Sequence, residues 1–390
     1  MTLSRLRRSE GPRDRRASTW PLVLPPFLVA RSLSLLVPVL AVWQGSPSPG
    51  FPGVDELRGA FDRWDSQAYV AIAEHGYPSV IDFGLGRSGH LLAYFPGYPM
   101  LMRAVMVLVG DPVAAGLLVS TLMELAALHL VARLVMGERD RAAARVAVWA
   151  LALWPLAVFL GAVYTEATFV AAAAGALLLA RRGRHAAACA VAALSCAVRV
   201  TGIALIPALL IEHLVRRRGR PGVGVLWLLA VPLPLLLLGA YTRVHTGDGL
   251  AWLHAESSVS FGYRHLDWPW AGARSTWSSV VTTSLPASDT YVFALELLFG
   301  VGGGLVCAAI WISRRLAASL AAYCTAVWLL AVCVSYWLSV PRYEIAMFPA
   351  LVPATDLLAR RPARRAAVLM ASAGLFAYGA GVYAEGRWLG

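Results

Sequence analysis

The sequence predicts an all-α polytopic membrane protein, and three observations carry that prediction. Of the 390 residues, 58% are hydrophobic and only 14% are charged, whereas a soluble domain carries about 45–50% and about 25%. Apolar runs long enough to cross a bilayer recur from residue 20 to the carboxyl end. The 34 basic residues are all arginine, and most sit in short clusters between those runs. A net charge of +12 spread in this way punctuates loops; it forms no patch or stripe for nucleic acid, which is excluded as a partner. Cys189, Cys196, Cys307, Cys324 and Cys333 all fall inside apolar runs without a C-x-x-C spacing, so they read as small buried hydrophobes.

The elements follow in order. Residues 1–19 form a basic tail containing Arg5, Arg7, Arg8, Arg13, Arg15 and Arg16. The first apolar run, 20–43, is too long for a signal-peptide core and reads as a signal anchor. Further spans are predicted at 112–136, 146–163, 165–180, 186–198, 200–213, 223–242, 290–313, 316–340, 344–359 and 366–385. That makes about eleven, or nine to ten if short neighbours such as 186–198 and 200–213 merge. Arginine clusters near 133–145, 181–184, 216–220, 314–315 and 360–365 join the tail on the cytoplasmic side by the positive-inside rule. Two long outer loops remain, 44–111 and 243–289, within a single membrane domain at 20–385 that ends in a short tail at 386–390. Parity then requires the apolar stretch 92–110 not to cross. It is predicted as a juxtamembrane helix in the outer interface, with Arg103 and its tyrosines at headgroup level.

Polar residues concentrate in FDRWDSQAYVAIAEHGY, 61–77, where Asp62 and Asp65 share a helix face. From the residues alone, solvated charges on an amphipathic loop helix explain this segment as well as a site does. Ionisable residues at membrane depth are functional candidates, among them Arg31, Glu124, His129, Glu166, Arg199, Glu212 and Arg342. Glu212 beside the 216–220 arginines reads as a surface ion pair. Glu124 and His129 read as interhelical hydrogen-bonding groups, with Arg31 the expected partner of Glu124. Glu166, Arg199 and Arg342 are brought by the topology to the outer face, near Asp65.

Several short motifs, in order, resemble the PIG-V mannosyltransferase family of the glycosyltransferase C superfamily, in its bacterial branch. They are Trp64-Asp65-x-x-x-Tyr69, Ile72-Ala73-x-x-Gly76-Tyr77, Phe95-Pro96-x-Tyr98-Pro99, Tyr164-Thr165-Glu166, Arg199-Val200-Thr201-Gly202 and Pro341-Arg342-Tyr343. The chain departs from that pattern at Ser66 and Ala68, where the family often has Gly and Trp, and at Thr165, where it has Ser. The resemblance implies a glycosyltransferase C type helical bundle. It further implies transfer of mannose from a polyprenyl-phosphate-mannose donor to an extracytoplasmic glycan or glycolipid acceptor. Asp65 would be the base, with Asp62 and Glu166 in reserve. Arg342, Arg199 and Tyr343 would bind donor phosphate, and Trp64, Tyr69, Tyr94, Tyr98 and Tyr164 would contact substrate. No nucleotide-sugar fold is legible, in keeping with a lipid-linked donor.

The second outer loop holds His245, Asp248, His254, His265 and Asp267 with Trp252, Trp268, Trp270 and Trp277. The indoles suit an interfacial belt or a sugar platform. The histidines are irregularly spaced, so no metal ligand is assigned, although a divalent cation is compatible with the chemistry. The expectation is a multi-pass cell-membrane enzyme with its amino terminus in the cytoplasm and its active site outside. The rival is a transporter or flippase for a lipid-linked or small polar substrate.

Overall fold

The computed structural model describes residues 18–46, 50–78, 89–258, 261–281, 287–359 and 361–387. The basic cluster at 5–16 and the last residues of the short tail lie outside them. The described chain is helical apart from one isolated antiparallel bridge between Leu266 and Val334.

The helices are α1 (Trp20–Gly45), α2 (Val54–Phe61), α3 (Asp65–His75), α4 (Gly97–Val109), α5 (Pro112–Glu138), α6 (Arg141–Ala152), α7 (Val158–Gly161), α8 (Glu166–Arg181) and α9 (His185–Val198). They continue with α10 (Leu205–Arg216), α11 (Leu233–Thr246), α12 (Ala251–Glu256), α13 (Pro269–Val281), α14 (Ala287–Ser313), α15 (Ala318–Val332), α16 (Val340–Tyr343), α17 (Leu351–Ala359) and α18 (Pro362–Ala384). Four are long and apolar enough to span a bilayer unaided: α1, α5, Thr290–Ser313 within α14, and α18. A bent pair, in which Val223–Ala230 meets α11 at 45°, is long and apolar enough when its two halves are taken together. The remaining legs are shorter, and the core they build is dominated by Ala, Val and Leu from α5 to α10. Small side chains let helix backbones approach closely where lipid supplies no hydrophobic drive.

Ion pairs fix which helix ends lie together. Arg181 pairs with Glu138 and Glu212, Arg216 with Glu212, and Arg139 with Asp356, while Arg139 also donates to the Arg315 carbonyl. Arg145 and Arg365 line one cavity. Five of the six arginine clusters therefore meet at a single end of the bundle. Between that end and the other run eleven legs: α1, α5, α6 with α7, α8, α9, α10, the bent pair, α14, α15, α16 with α17, and α18. Glu212 makes the expected ion pairs with nearby arginines. Arg31 is bonded to Glu124 and His129 to Thr19 at 2.7 Å, so both expected interhelical contacts form. Four cysteines are buried and Cys333 is partly so.

Two elements differ in detail from the sequence reading. The segments at 186–198 and 200–213 do not merge. Arg199 is extended (φ −152°, ψ 144°), the chain turns through Val200–Ala204, and α10 returns to place Arg216 against Arg181 and Gly183. Gly202 makes this turn possible, because a Cβ there would lie 2.5 Å from the Cys196 nitrogen. The helix within 92–110 is only 13 residues long and packs antiparallel along the first turns of α5. The Tyr98 hydroxyl meets the Ser120 hydroxyl at 2.8 Å and the Gly116 carbonyl at 3.1 Å. Arg103 does not reach outward; its Nε donates to the Ala73 carbonyl at 2.7 Å and caps α3. At 1.5 Å per residue α5 is about 40 Å long, more than the roughly 30 Å hydrocarbon core. Its surplus turns give α4 a partner above that core.

Candidate functional site

Four charged side chains, three from separate legs and Asp65 from the loop helix α3, converge at the end opposite the arginine clusters. Arg342 is their centre. Its Nη2 lies 2.8 Å from Asp65 Oδ2 and its Nε 2.7 Å from Glu166 Oε1. Arg199 Nη1 approaches the same Glu166 oxygen at 2.5 Å and Thr165 Oγ1 at 3.4 Å. The guanidinium of Arg342 also sits 5.1 Å from the Tyr164 ring centre and 5.2 Å from that of Phe159, while Arg199 lies 4.6 Å from the centre of Tyr343. Cations stack favourably on such aromatic faces when desolvated.

Local sequence explains each placement. Trp64 has a positive φ of 55°, a strained choice for a bulky side chain, and it turns the backbone so that Asp65 becomes the first residue of α3. The Ser66 hydroxyl donates to the Arg63 carbonyl at 2.7 Å and holds that turn, which gives the departure at Ser66 a physical role. Glu166 opens α8, where the helix dipole favours a carboxylate. Arg199 sits at the break after α9. Arg342 is carried by the four-residue α16, whose entry at Ser339 is left-handed (φ 66°). Glu296 of α14, fully buried, accepts from the Ser339 and Val340 amides at 2.6 and 2.7 Å and fixes that entry.

Exposure separates the two carboxylates. The Asp65 side chain keeps 18% exposure against 2% for Glu166, so Asp65 is the one an incoming hydroxyl can reach. The Tyr94 hydroxyl donates to Asp65 Oδ1 at 3.1 Å. Burial, reinforced by the nearby Asp65 charge, pushes the Tyr94 phenol well above its usual range and keeps it a donor. Tyr69 is buried edge-on between Tyr94 and Tyr98, each at 5.3 Å, and faces Tyr164 at 6.3 Å. Tyr98 is wholly buried and braces this stack from below, with its hydroxyl closed onto α5. Trp64 faces outward, 42% exposed. Asp62 lies outside the ion-paired group and accepts from Ser66 at 3.3 Å. From Glu166, Arg199 and Arg342 a narrow cleft leads between Phe169, Val170, Ile345 and Ala346, grading from charged to apolar.

The second outer loop gathers less. Among the described residues no three His, Cys, Asp or Glu side chains come together as a metal-binding group. Asp248 pairs with His254 at 2.6 Å, His245 stacks on Tyr241, and His265 bonds to the Tyr263 carbonyl. Trp268 and Trp270 stack in parallel, 5.0 Å apart and largely exposed.

No family model matches the chain, and no curated protein matches it by sequence. Solved structures do. ArnT from Cupriavidus metallidurans, crystallised with undecaprenyl phosphate, superposes with a TM-score of 0.51 at 17% identity over 90% of this chain. An oligosaccharyltransferase from Archaeoglobus fulgidus, tethered to an acceptor peptide, gives 0.46 at 14% identity over 96%. The bundle shares the fold of the ArnT membrane domain. This chain spans 62% of the length of ArnT and 56% of the length of the oligosaccharyltransferase, so the likeness is one of fold.

Proposed function

We propose that the chain is a membrane glycosyltransferase that moves mannose from a polyprenyl-phosphate-mannose donor to a glycan or glycolipid outside the cytoplasm. The observation that carries the reading is the Asp65–Arg342–Glu166–Arg199 group, with one semi-exposed carboxylate beside two buried guanidiniums. The likeness to ArnT, whose structure holds undecaprenyl phosphate, supports a lipid-linked donor. The gathering of arginine clusters at the opposite end supports an extracytoplasmic site under the positive-inside rule.

The chemistry follows from charge. At rest two guanidiniums balance two carboxylates, and a donor phosphodiester brings one further negative charge. Arg342 Nη2 is then shared between Asp65 and the phosphate, while Arg199 and the Nε of Arg342 stay on Glu166. The acceptor hydroxyl gives its proton to Asp65 as its oxygen bonds to the anomeric carbon. The bond from that carbon to the phosphate oxygen breaks on the opposite face, and the electron pair leaves with polyprenyl phosphate, inverting the anomeric centre. General-base catalysis of this kind contributes about 10²–10⁴ in rate. The guanidiniums stabilise the charge that grows on the leaving phosphate.

The test is transfer from radiolabelled polyprenyl-phosphate-mannose to extracted lipids, comparing wild type with Asp65→Asn. Asparagine keeps the size and the Tyr94 contact but cannot take the proton, so turnover falls about 10²-fold or more with normal accumulation. Near-normal transfer would move the role to Asp62 or Glu166. Vectorial movement of substrate in liposomes without a glycosidic product would replace the enzyme with a transporter.

A further inference from the structure

At the arginine-rich end, far from the charged group, a cavity of about 420 Å³ opens between α6 and α18. Its walls are Trp149 and Leu153 on one helix and Leu369 and Ala373 on the other, and Arg145 and Arg365 stand at its mouth. Both helices start at that end, so on each the arginine lies nearer that end than the apolar residues that follow one turn apart along the same face. Ser372 closes the far end by donating to the Leu153 carbonyl.

Some arginines at this end are already engaged. Arg139, Arg181 and Arg216 are each spent on a carboxylate. Arg145 and Arg365 make no ion pair among the described residues, and the acid nearest in sequence, Asp140, is engaged as the cap of α6 through the Ala143 amide at 2.8 Å. An apolar slot lined by two guanidiniums that make no ion pair among the described residues matches a molecule with an apolar chain and an anionic head.

We infer that this groove is a binding site for an anionic glycerophospholipid from the surrounding leaflet. One acyl chain lies along Trp149, Leu153, Leu369 and Ala373, and the headgroup phosphate bridges Arg145 and Arg365. Basic pockets between spanning helices hold anionic headgroups by this combination. The lipid ties α18 to α6. Because Arg63 on the α2–α3 turn donates to the Ala384 carbonyl and Tyr383 to the Phe61 carbonyl, the far end of α18 supports the loop that carries Asp65. Binding itself does not depend on the proposed transferase activity.

The experiment titrates purified, delipidated full-length protein with phosphatidylglycerol or phosphatidylcholine and reads thermal unfolding and bound lipid by native mass spectrometry. Phosphatidylglycerol should raise the unfolding temperature saturably and phosphatidylcholine should not. Arg145→Gln with Arg365→Gln should weaken the phosphatidylglycerol response about tenfold or more, while Arg364→Gln, at an exposed position outside the groove, leaves it intact. Leu369→Trp fills the slot and should remove chain binding with both arginines present. Equal responses to the two lipids, or an unchanged midpoint in the double variant, would overturn the inference.

Discussion

Arg342→Lys tests the centre of the charged group most directly, because it keeps the charge and removes the fork. The guanidinium serves two carboxylates at once, Asp65 at 2.8 Å through Nη2 and Glu166 at 2.7 Å through Nε, and lies beside the touching rings of Phe159 and Tyr164. A lysine ammonium is a point charge and reaches one of those carboxylates, not both. One of the two ion-pair contacts is lost, and a contact to a charged group of this kind is worth about 1.5–3 kcal/mol. At about 1.36 kcal/mol per decade, kcat/KM should fall about 10- to 150-fold. Net charge is unchanged, so insertion and accumulation should stay near wild type. The assay is initial transfer rate against donor concentration with purified, detergent-solubilised protein. A rise in donor KM assigns the lost bond to the phosphate; a fall in kcat assigns it to the transition state or to the setting of Asp65. An arginine that merely reaches toward headgroups tolerates lysine. Kinetics within about twofold of wild type would therefore refute the need for two contacts from Arg342 and leave Arg199 as the candidate phosphate ligand.

Two further outcomes are expected. Glu296→Gln should lower kcat/KM about tenfold while the protein still inserts, since a glutamine cannot accept from both the Ser339 and Val340 amides and α16 loosens under Arg342; activity equal to wild type would free α16 from that control. For topology, cysteines introduced at Ala142 and Arg182, both exposed at the arginine-rich end, should resist an impermeant thiol reagent applied to intact cells, whereas one at Ser275 should react. Labelling at Ala142 from outside would reverse the orientation.

Much of the architecture was legible because arginines and apolar runs alternate, and the eleven legs run between ends as that alternation requires. The Arg31–Glu124 pair was legible for a related reason: a lone acid and a lone base at similar depth have few other partners. The placement of α4 was not, since its apolar composition reports burial but not whether lipid or α5 supplies it. The same limit hid the brace formed by Tyr98, which reads as a site tyrosine from its motif and is instead sealed onto Ser120. Glu296 was missed although its signal was present, an acid within an apolar run of α14. Its purpose could not be read, because the amides it holds belong to residues more than forty positions away.

The charged group also shows why such a site is built from broken helices. Asp65 and Glu166 are the first residues of α3 and α8, Arg199 follows the last turn of α9, and Arg342 sits in the short α16. An unbroken span satisfies its own backbone and directs side chains sideways into neighbours or lipid. A break lets a side chain project along the bundle axis, and there three legs and the loop helix α3 aim at one point. Each break needs its own support, and the structure supplies it locally: Ser66 under the Trp64 turn, Gly202 against Cys196, and Glu296 beneath Ser339. Opposite charges at the focus then compensate one another, for a lone buried carboxylate or guanidinium would cost several kcal/mol. On the proposed function, the same pairing that makes the group tolerable at rest leaves it one exchange of partners away from holding a phosphate, with Arg342 Nη2 as the donor shared between Asp65 and the phosphate.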